Sequence, residues 1–316
     1  MLNLKKLMNK PFFLLIYCFC LFQSISFAQQ KVWLDSDTGN EMDDLYAIAY
    51  LVKVPGIDLI GLSSAHFNNA DLNVFEKWNA YETATLKPVE ESQRLNEEIL
   101  AAMGRMDIPH PLGADRQIGR AWGQQDPRDS PAAQAIIAEA RKMKGEEKLH
   151  VLTLGAMTNV ATALILAPDI KDKIRLFSLG SWYTPESQAW NKSEFNIRCD
   201  LNSFDYLLNL EGLDFTIMTT TTSFALKFDR DETYARLDEN VAIEKILADR
   251  WRVHNPQDKT RVMWDLALVM AYVHPEWATV SSVMTPPENT PRVVQVYTEI
   301  DADKMREEFW RLLKES

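Results

Sequence analysis

The sequence predicts an α/β fold in which helices flank one mostly parallel central sheet. Short apolar segments of strand length alternate with longer segments of helical spacing, and no repeat or flexible linker interrupts them. Short buried strands that alternate with helices pair in parallel through right-handed crossovers. At 316 residues the chain is long enough for one large domain, and we predict a single domain over residues 29–316.

The elements follow from these apolar patterns in chain order. Strands are predicted for the short apolar runs at residues 32–36, 57–65, 149–155, 174–180 and 214–220. Helices are predicted for the segments of helical spacing at residues 43–54, 73–86, 130–143 and 158–167. In parallel sheets of this kind, ligands bind at the carboxyl ends of the strands, so the polar residues that follow each strand are the candidates for a site.

The first 28 residues have the pattern of a secretory signal peptide. Three lysines precede the apolar run at residues 11–22, and the small residues Ser26 and Ala28 follow it. The run is short for a membrane span, so we predict cleavage after Ala28 and export to the periplasm or the extracellular space. The mature protein is then predicted to have no membrane segment.

Charge and cysteine content exclude several classes of partner. The formal net charge is −11, and removal of the lysine-rich signal makes it more negative, which argues against nucleic-acid partners and anionic membranes. Of the three cysteines, two lie in the predicted signal and Cys199 remains. The mature chain therefore has no partner for an internal disulfide and no cysteine cluster for zinc.

Four aspartates lie at the end of the first predicted strand or after it: Asp35, Asp37, Asp43 and Asp44. A calcium loop of the EF-hand type is excluded because its spacing would place Tyr46 where the twelfth-position acid belongs. The segment LDSDT fits the DxDxT pattern of haloacid dehalogenase-like phosphatases, in which the first aspartate attacks phosphorus. That chemistry also needs a distant acidic pair for magnesium, which we do not find, but the phosphatase stays open as an alternative.

A third interpretation accounts for more of these acidic residues. On a loop and the first turn of a helix, Asp37, Asp43 and Asp44 could converge on one hard cation, and calcium tolerates such irregular oxygen sites. Without a cation the carboxylates would repel one another and raise their own pKa values. Helix capping beside a solvated acidic turn would explain only one or two of the aspartates.

Five segments in order along residues 31–275 resemble the inosine-uridine-preferring nucleoside hydrolase family. They are LDSDTGNEMDDLYAIAYLV, LIGLSSAHFNN, LGAMTNVATALILAPDI, SEFNIRCDLNSFDYLL and MWDLALVMAYVHPE. The resemblance implies a Rossmann-like nucleoside hydrolase fold and a hydrolase, of the glycosidase type, that acts on small ribosyl compounds. It also implies a homo-oligomer, because members of the family commonly form dimers or tetramers. The turn between Asp37 and Asp43 is longer than is usual in the family.

The resemblance further implies a calcium-dependent hydrolysis of the N-ribosidic bond. Calcium would be bound by Asp37, Asp44, Asp265 and the backbone carbonyl of Thr158, and Asp37 would accept the proton of the attacking water. Asp35 would orient these carboxylates without binding the calcium itself. The sugar would be bound by Asp43, Asn68, Glu194 and Asn196. Taken singly, Thr158 and Asp265 could instead be helix caps, and Glu194 and Asn196 ordinary loop residues.

The leaving-group end departs from the family pattern. Trp264 stands where the family has a histidine that protonates the departing base, and a tryptophan can stack on a base but cannot give it a proton. His66 and His254 are therefore the candidate leaving-group acids. We predict that Trp264 binds substrate by stacking. Trp182, Tyr183, Trp190 and Trp264 could together wall an aromatic pocket, and an aromatic-rich core stays open as the alternative. A non-catalytic nucleoside- or sugar-binding protein of the same fold stays open.

Overall fold

The computed structural model describes residues 29–69 and 85–315. The predicted signal peptide and nearly all of the predicted helix at residues 73–86 lie outside the described residues. The strands are β1 (Gln30–Ser36), β2 (Ile57–Ser64), β3 (Leu149–Thr153), β4 (Ile174–Leu179), β5 (Trp182–Thr184), β6 (Ala189–Asn191), β7 (Asp214–Met218), β8 (Lys227–Asp229), β9 (Thr260–Val262), β10 (Ala278–Met284) and β11 (Val293–Ile300).

Seven of these strands form one sheet in the order β10-β11-β7-β4-β3-β1-β2. All neighbours pair in parallel except β10 and β11, which form an antiparallel edge. The predicted, mostly parallel central sheet is thus confirmed. The prediction for 214–220 extended too far, because Thr220 already begins a short helix. The other strands form the two-stranded sheets β5–β6 and β8–β9.

Helices cover both faces of the sheet. They are α1 (Asp43–Lys53), α2 (Pro88–Ala102), α3 (Pro131–Lys142), α4 (Thr158–Leu166), α5 (Phe195–Cys199), α6 (Leu201–Asn209), α7 (Thr220–Ser223), α8 (Arg230–Arg236), α9 (Ala242–His254), α10 (Trp264–Val273) and α11 (Ala302–Lys314). The helices predicted at residues 43–54, 130–143 and 158–167 are observed within two residues of their predicted ends. Within the described ranges, no helix has the length and apolar composition needed to cross a membrane.

Two apolar clusters hold the helices to the sheet. On one face, α1, α10 and α11 pack together through buried residues such as Tyr46, Leu266 and Phe309. On the other face, α3, α4 and α6 contribute Ile136, Val160 and Phe204. Side chains of a strand alternate between faces, and β1 accordingly supplies both clusters. Because β1 is packed on both faces, it fixes the start of the segment that connects β1 to α1.

The packing of Trp33 on Gly61 connects this core to the acidic residues that follow β1. The two residues are register partners on β1 and β2. A methyl group at Gly61 would lie 2.2 Å from the Trp33 ring, so only glycine leaves room for the indole. Trp33 Nε1 donates to Ser63 Oγ at 2.9 Å, and Ser63 Oγ donates to Asp35 Oδ1 at 2.5 Å. Core packing therefore fixes the position of Asp35.

We expect Gly61→Ala to lower the free energy of unfolding by about 1–3 kcal/mol, because the added methyl overpacks the site against the Trp33 ring. Urea denaturation measures the change. In a Trp33→Leu background, where the ring is absent, the same substitution should cost less. An equal cost in both backgrounds would show that the contact with the ring is not the cause.

Candidate active site

A cavity of about 370 Å³ opens at the carboxyl ends of the central strands. This volume lies within the range of roughly 300–1,000 Å³ that is typical of small-molecule sites. The described residues that line it are Asp37, Asn40, Glu41, Asp43, Asp44, Leu154, Leu179, Trp182, Ser193, Glu194, Phe195, Asn196, Thr220, Thr260, Arg261, Val262, Trp264 and Asp265. The cavity is therefore at the place that the order of strands predicts.

Three helices that begin beside the cavity have no capping side chain. The residues before their first turns are methionines that make no side-chain cap: Met42 for α1, Met157 for α4 and Met263 for α10. The interpretation of Thr158 and Asp265 as helix caps is therefore wrong. The first-turn carboxylates Asp43, Asp44 and Asp265 are instead available to a ligand, at helix ends that favour negative charge.

Asp43, Asp44 and Asp265 form a tight carboxylate cluster. One oxygen of each lies within 4.8 Å of the others, and all three side chains are buried. The Asp265 backbone N–H donates to Asp43 Oδ2 at 3.0 Å, and Ser36 Oγ donates to Asp44 Oδ1 at 2.5 Å. The predicted set had Asp37 in place of Asp43. Asp37 lines the same cavity but is not a member of this closest triplet.

Several carboxylate oxygens of this site have no hydrogen-bond donor. Asp37 Oδ2, Asp43 Oδ1 and Asp265 Oδ1 are buried and unpartnered within the part of the chain that the structure describes. Buried polar atoms are nearly always satisfied, so such a group of acceptors indicates a ligand. Oxygen-only donors at this spacing fit a hard divalent cation, and the acidic cluster could therefore hold a metal.

Burial and mutual repulsion raise the pKa values of these carboxyl groups. Burial raises the pKa of Asp43 to about 7, helped by the charges of Glu41 and Asp44. Burial and then the neighbouring aspartates raise the pKa of Asp265 well above its usual value. The pKa of Asp37 rises in the same way, from burial and the charge of Asp44. The metal-free cluster therefore holds protons where exposed aspartates would not.

Asp35 lies behind the cluster rather than in the cavity wall. Its Oδ1 accepts from Ser63 Oγ at 2.5 Å and from Asn159 Nδ2 at 2.9 Å. Burial raises its pKa to about 6, against the effect of these two donors. Asp35 thus ties the end of β1 to β2 and to α4, which is the placement expected of a residue that orients the cluster.

Thr158 and His66 belong to a buried hydrogen-bond chain outside the described cavity wall. The Thr158 hydroxyl donates to Asp200 Oδ2 at 2.6 Å and lies 2.8 Å from His66 Nε2. The Asn68 N–H donates to His66 Nδ1 at 3.3 Å, so His66 Nε2 carries the proton and donates to Thr158. Burial lowers the pKa of His66 to about 4. His66 is therefore buried in this hydrogen-bond chain, and the structure does not bring it to the cavity wall where a leaving-group acid is expected.

Two further predicted residues are not brought to the cavity. The Asn68 side chain is exposed, donates to the backbone carbonyl of Asp115 and is not among the described residues that line the cavity. His254 ends α9, with Nε2 2.7 Å from Arg250 Nη1, and is also not among the described lining residues. The sequence places Asn68 after a strand and His254 in a polar segment, but neither position determines where the side chain points.

Glu194, Asn196 and Trp264 do line the cavity, as predicted. Glu194 caps α5 by accepting from the Ile197 N–H at 3.1 Å, and burial raises its pKa to about 7. The Asn196 side chain donates to the Leu154 carbonyl at 2.5 Å. Both residues are thus fixed by backbone contacts rather than being ordinary loop residues.

The aromatic part of the wall is smaller than predicted. Trp182 meets Trp264 edge-to-face, with ring centroids 6.4 Å apart. Tyr183 and Trp190 instead pack on each other at 4.9 Å and do not line the described cavity. Only Trp182 and Trp264 of the four predicted aromatic residues are therefore placed to contact a ring.

Two arginines that the sequence did not single out hold the long turn between Asp37 and Asp43. Arg250 Nη2 donates to the Gly39 carbonyl at 2.7 Å, and its Nε donates to the Glu41 carbonyl at 3.1 Å. Arg261 forms ion pairs with Glu41 and with Asp258, the second at 2.9 Å. The extra length of the turn brings Glu41 into the cavity wall beside Arg261.

Comparison with known proteins agrees with this geometry. Residues 32–307 match the profile of the family described as inosine-uridine preferring nucleoside hydrolase. A probable uridine nucleosidase 2 of Oryza sativa subsp. japonica is 22% identical over 273 residues, which cover 79% of this chain and 76% of that protein. The family match covers all five segments that the sequence analysis singled out.

Solved structures show the same fold. A plant nucleoside hydrolase superposes with a TM-score of 0.68 at 17% identity, covering 91% of this chain and 100% of that one. A purine-preferring ribonucleoside hydrolase from Gardnerella vaginalis superposes with a TM-score of 0.66 at 22% identity, covering 90% and 98% of the two chains. At these identities the likeness establishes the fold.

We expect calcium to raise the melting temperature more at pH 8 than at pH 5. The folded-state pKa of Asp43, about 7, lies above its unfolded value, so its contribution to stability is full at low pH and is lost as pH rises through 7. At pH 8 the carboxylates of the cluster are ionised and repel one another, and a cation bound there would compensate their charge. At pH 5 protons compete with the cation.

Thermal unfolding with calcium and with chelator at both pH values measures this difference. The Asp43→Asn variant, which lacks one titrating group of the cluster, should show a smaller difference between the two pH values. An equal rise at pH 5 and pH 8 in the unsubstituted protein would show that calcium binds elsewhere.

Proposed function

The chain belongs to the inosine-uridine preferring nucleoside hydrolase family and is a hydrolase acting on N-glycosyl compounds, and from this we propose that it splits a ribonucleoside into ribose and free base with calcium in the acidic cluster. The unpartnered oxygens of Asp37, Asp43 and Asp265, gathered at one cavity, are the observation that carries the proposal. A bound cation and the hydroxyl groups of a sugar would together satisfy these unpartnered oxygens.

Asp37 is the proposed base. It would accept a proton from the water that attacks the anomeric carbon, and its burial keeps the carboxylate a strong acceptor. Calcium, when bound, would supply a positive charge that orders the sugar hydroxyls and makes that water easier to deprotonate. Asp44 and Asp265, with Asp37, are the proposed ligands. Thr158, whose carbonyl the resemblance also implies as a ligand, is not among the described lining residues.

The remaining polar groups would hold the ribose. Asp43 has a free Oδ1 that can accept from a sugar hydroxyl, while its Oδ2 is held by the Asp265 N–H. Glu194 and Asn196 lie in the same wall, each fixed by backbone contacts. Bond cleavage gives the sugar ring oxocarbenium character, which this concentration of negative charge stabilises.

The base would be bound at the aromatic end of the cavity. Trp264 and Trp182 present ring faces or edges on which a planar base can stack. Trp264 cannot donate a proton at neutral pH, and neither predicted histidine is placed at the described wall. Release of the base therefore depends on binding and on electrostatics at this end.

Export and assembly are separate proposals. We propose that residues 1–28 direct the chain out of the cytoplasm and that residues 29–316 form the mature protein, which assembles with copies of itself. The composition of residues 1–28 supports the first part. The mass of the protein recovered from the cell envelope tests it, because cleavage leaves Gln29 as the first residue. Retention of Met1 would contradict it.

We expect the mature protein to release p-nitrophenol from p-nitrophenyl β-D-ribofuranoside with calcium and not with chelator. Asp37→Asn should lower kcat/KM by about 10²–10⁴-fold, which is the usual contribution of a general base. Absorbance of nitrophenolate gives the rate. Because nitrophenolate is a good leaving group, this substrate needs no acid.

Asp172→Asn is the matched control, since the Asp172 side chain is 86% exposed and is not among the described residues that line the cavity. Its activity should equal that of the unsubstituted protein. If calcium binds but neither the aryl riboside nor inosine nor uridine is hydrolysed, the proposal is wrong and the sugar-binding alternative explains the site better.

A further inference from the structure

The charge around the cavity is strongly one-sided. Its described wall contains the carboxyl groups of Asp37, Glu41, Asp43, Asp44, Glu194 and Asp265 but one basic side chain, that of Arg261. A base that departs from ribose takes an electron pair with it, and carboxylates oppose the accumulation of that charge. A hydrogen-bond donor at the base end of the cavity would therefore stabilise the negative charge that develops on the departing base.

Arg261 is a fixed and largely buried donor. Its side chain is 15% exposed, and ion pairs with Glu41 and Asp258 hold the two terminal nitrogens of its guanidinium group. Its Nε–H is buried and has no acceptor within residues 29–69 and 85–315. Burial alone would lower the pKa of Arg261, but Glu41, Asp43 and Asp258 outweigh it and raise the pKa, so the side chain stays charged.

Arg261 lines the same cavity as Trp264, the residue proposed to stack on the base. It is the middle residue of β9, and both neighbours, Thr260 and Val262, line the cavity with it. Trp264 follows three residues later in the same wall. Because the proposed sugar-binding groups lie on α1 and at the start of α5, the β9 segment is left to contact the base.

We propose that Arg261 binds the departing base and stabilises it as a hydrogen-bonded anion, in place of a side chain that gives the base a proton. This inference rests on the proposed function. The leaving groups it favours have a ring nitrogen or carbonyl oxygen that shares the negative charge, as purine and pyrimidine bases have. Arg261 would be a catalytic residue in this step, and Glu41 a residue that positions it.

The step balances without a protonated acid. The bond from the anomeric carbon to the base nitrogen breaks, and its electron pair goes to that nitrogen. The water oxygen forms the new bond to carbon, and Asp37 takes one proton from the water. Arg261 keeps its own proton while its N–H donates to the base. The base takes up a proton from solvent, and Asp37 returns one to solvent.

The test compares leaving groups in an Arg261→Gln variant. We expect kcat/KM for inosine and uridine to fall about 10²-fold or more, as for removal of one donor from an oxyanion site. For p-nitrophenyl β-D-ribofuranoside, whose leaving group is stable as an anion, the fall should be less than about tenfold. Across aryl ribosides, the rate should depend more steeply on leaving-group pKa in the variant.

Arg250→Gln is the matched control, because Arg250 holds the same turn through the Gly39 and Glu41 carbonyls from outside the described wall. Its effect should be equal for all leaving groups. The calcium-dependent rise in melting temperature should persist in Arg261→Gln, which shows that the acidic cluster is intact.

Equal losses on nucleosides and aryl ribosides in Arg261→Gln, or no loss on either, would overturn the role of Arg261 and leave the proposed function standing. Absence of hydrolysis of every riboside by the unsubstituted protein, with calcium bound, is a different result. It would overturn the proposed function and this inference with it.

Discussion

The repulsion among buried carboxylates at the carboxyl ends of the strands is the constraint on which the rest of the structure depends. Asp37, Asp43, Asp44 and Asp265 share one cavity, and their pKa values rise because water cannot screen them. The sheet, the uncapped helix ends and the hydrogen bond from Ser36 to Asp44 hold these groups together against that repulsion. A proton or a cation must compensate them, and the reaction we propose uses the cation.

The fold was predictable where burial on both faces leaves continuous apolar runs, as in the strands from β1 to β7 of the central sheet. The antiparallel edge was not predicted. β10, with the sequence ATVSSVM, is mostly exposed and alternates small polar with apolar residues, a pattern that does not distinguish a strand from a loop. Helix α11 is amphipathic and strongly charged, and its apolar face becomes evident only against α1.

The site residues were predictable where their position in a secondary-structure element also fixes the direction of the side chain. Asp43 and Asp265 lie in the first turns of their helices and line the cavity, so their sequence context determines their place. Asn68 and His66 follow a strand equally closely, but their side chains bond to Asp115 and Thr158 instead. Sequence position fixes the backbone at a strand end but not the direction of the side chain.

The Asp265 N–H bond to Asp43 joins residues 222 positions apart, and the ion pair of Arg261 with Glu41 joins residues 220 apart. The cavity is therefore closed by segments from the two ends of the sequence. We expect contacts of such separation to form late, because closing a long loop costs chain entropy before the contact contributes any favourable free energy. During synthesis, a nascent chain that has not yet reached residue 265 carries the first aspartates without the segment that completes the proposed cation site. We expect the site to be complete only after that segment has been synthesised and has packed against α1.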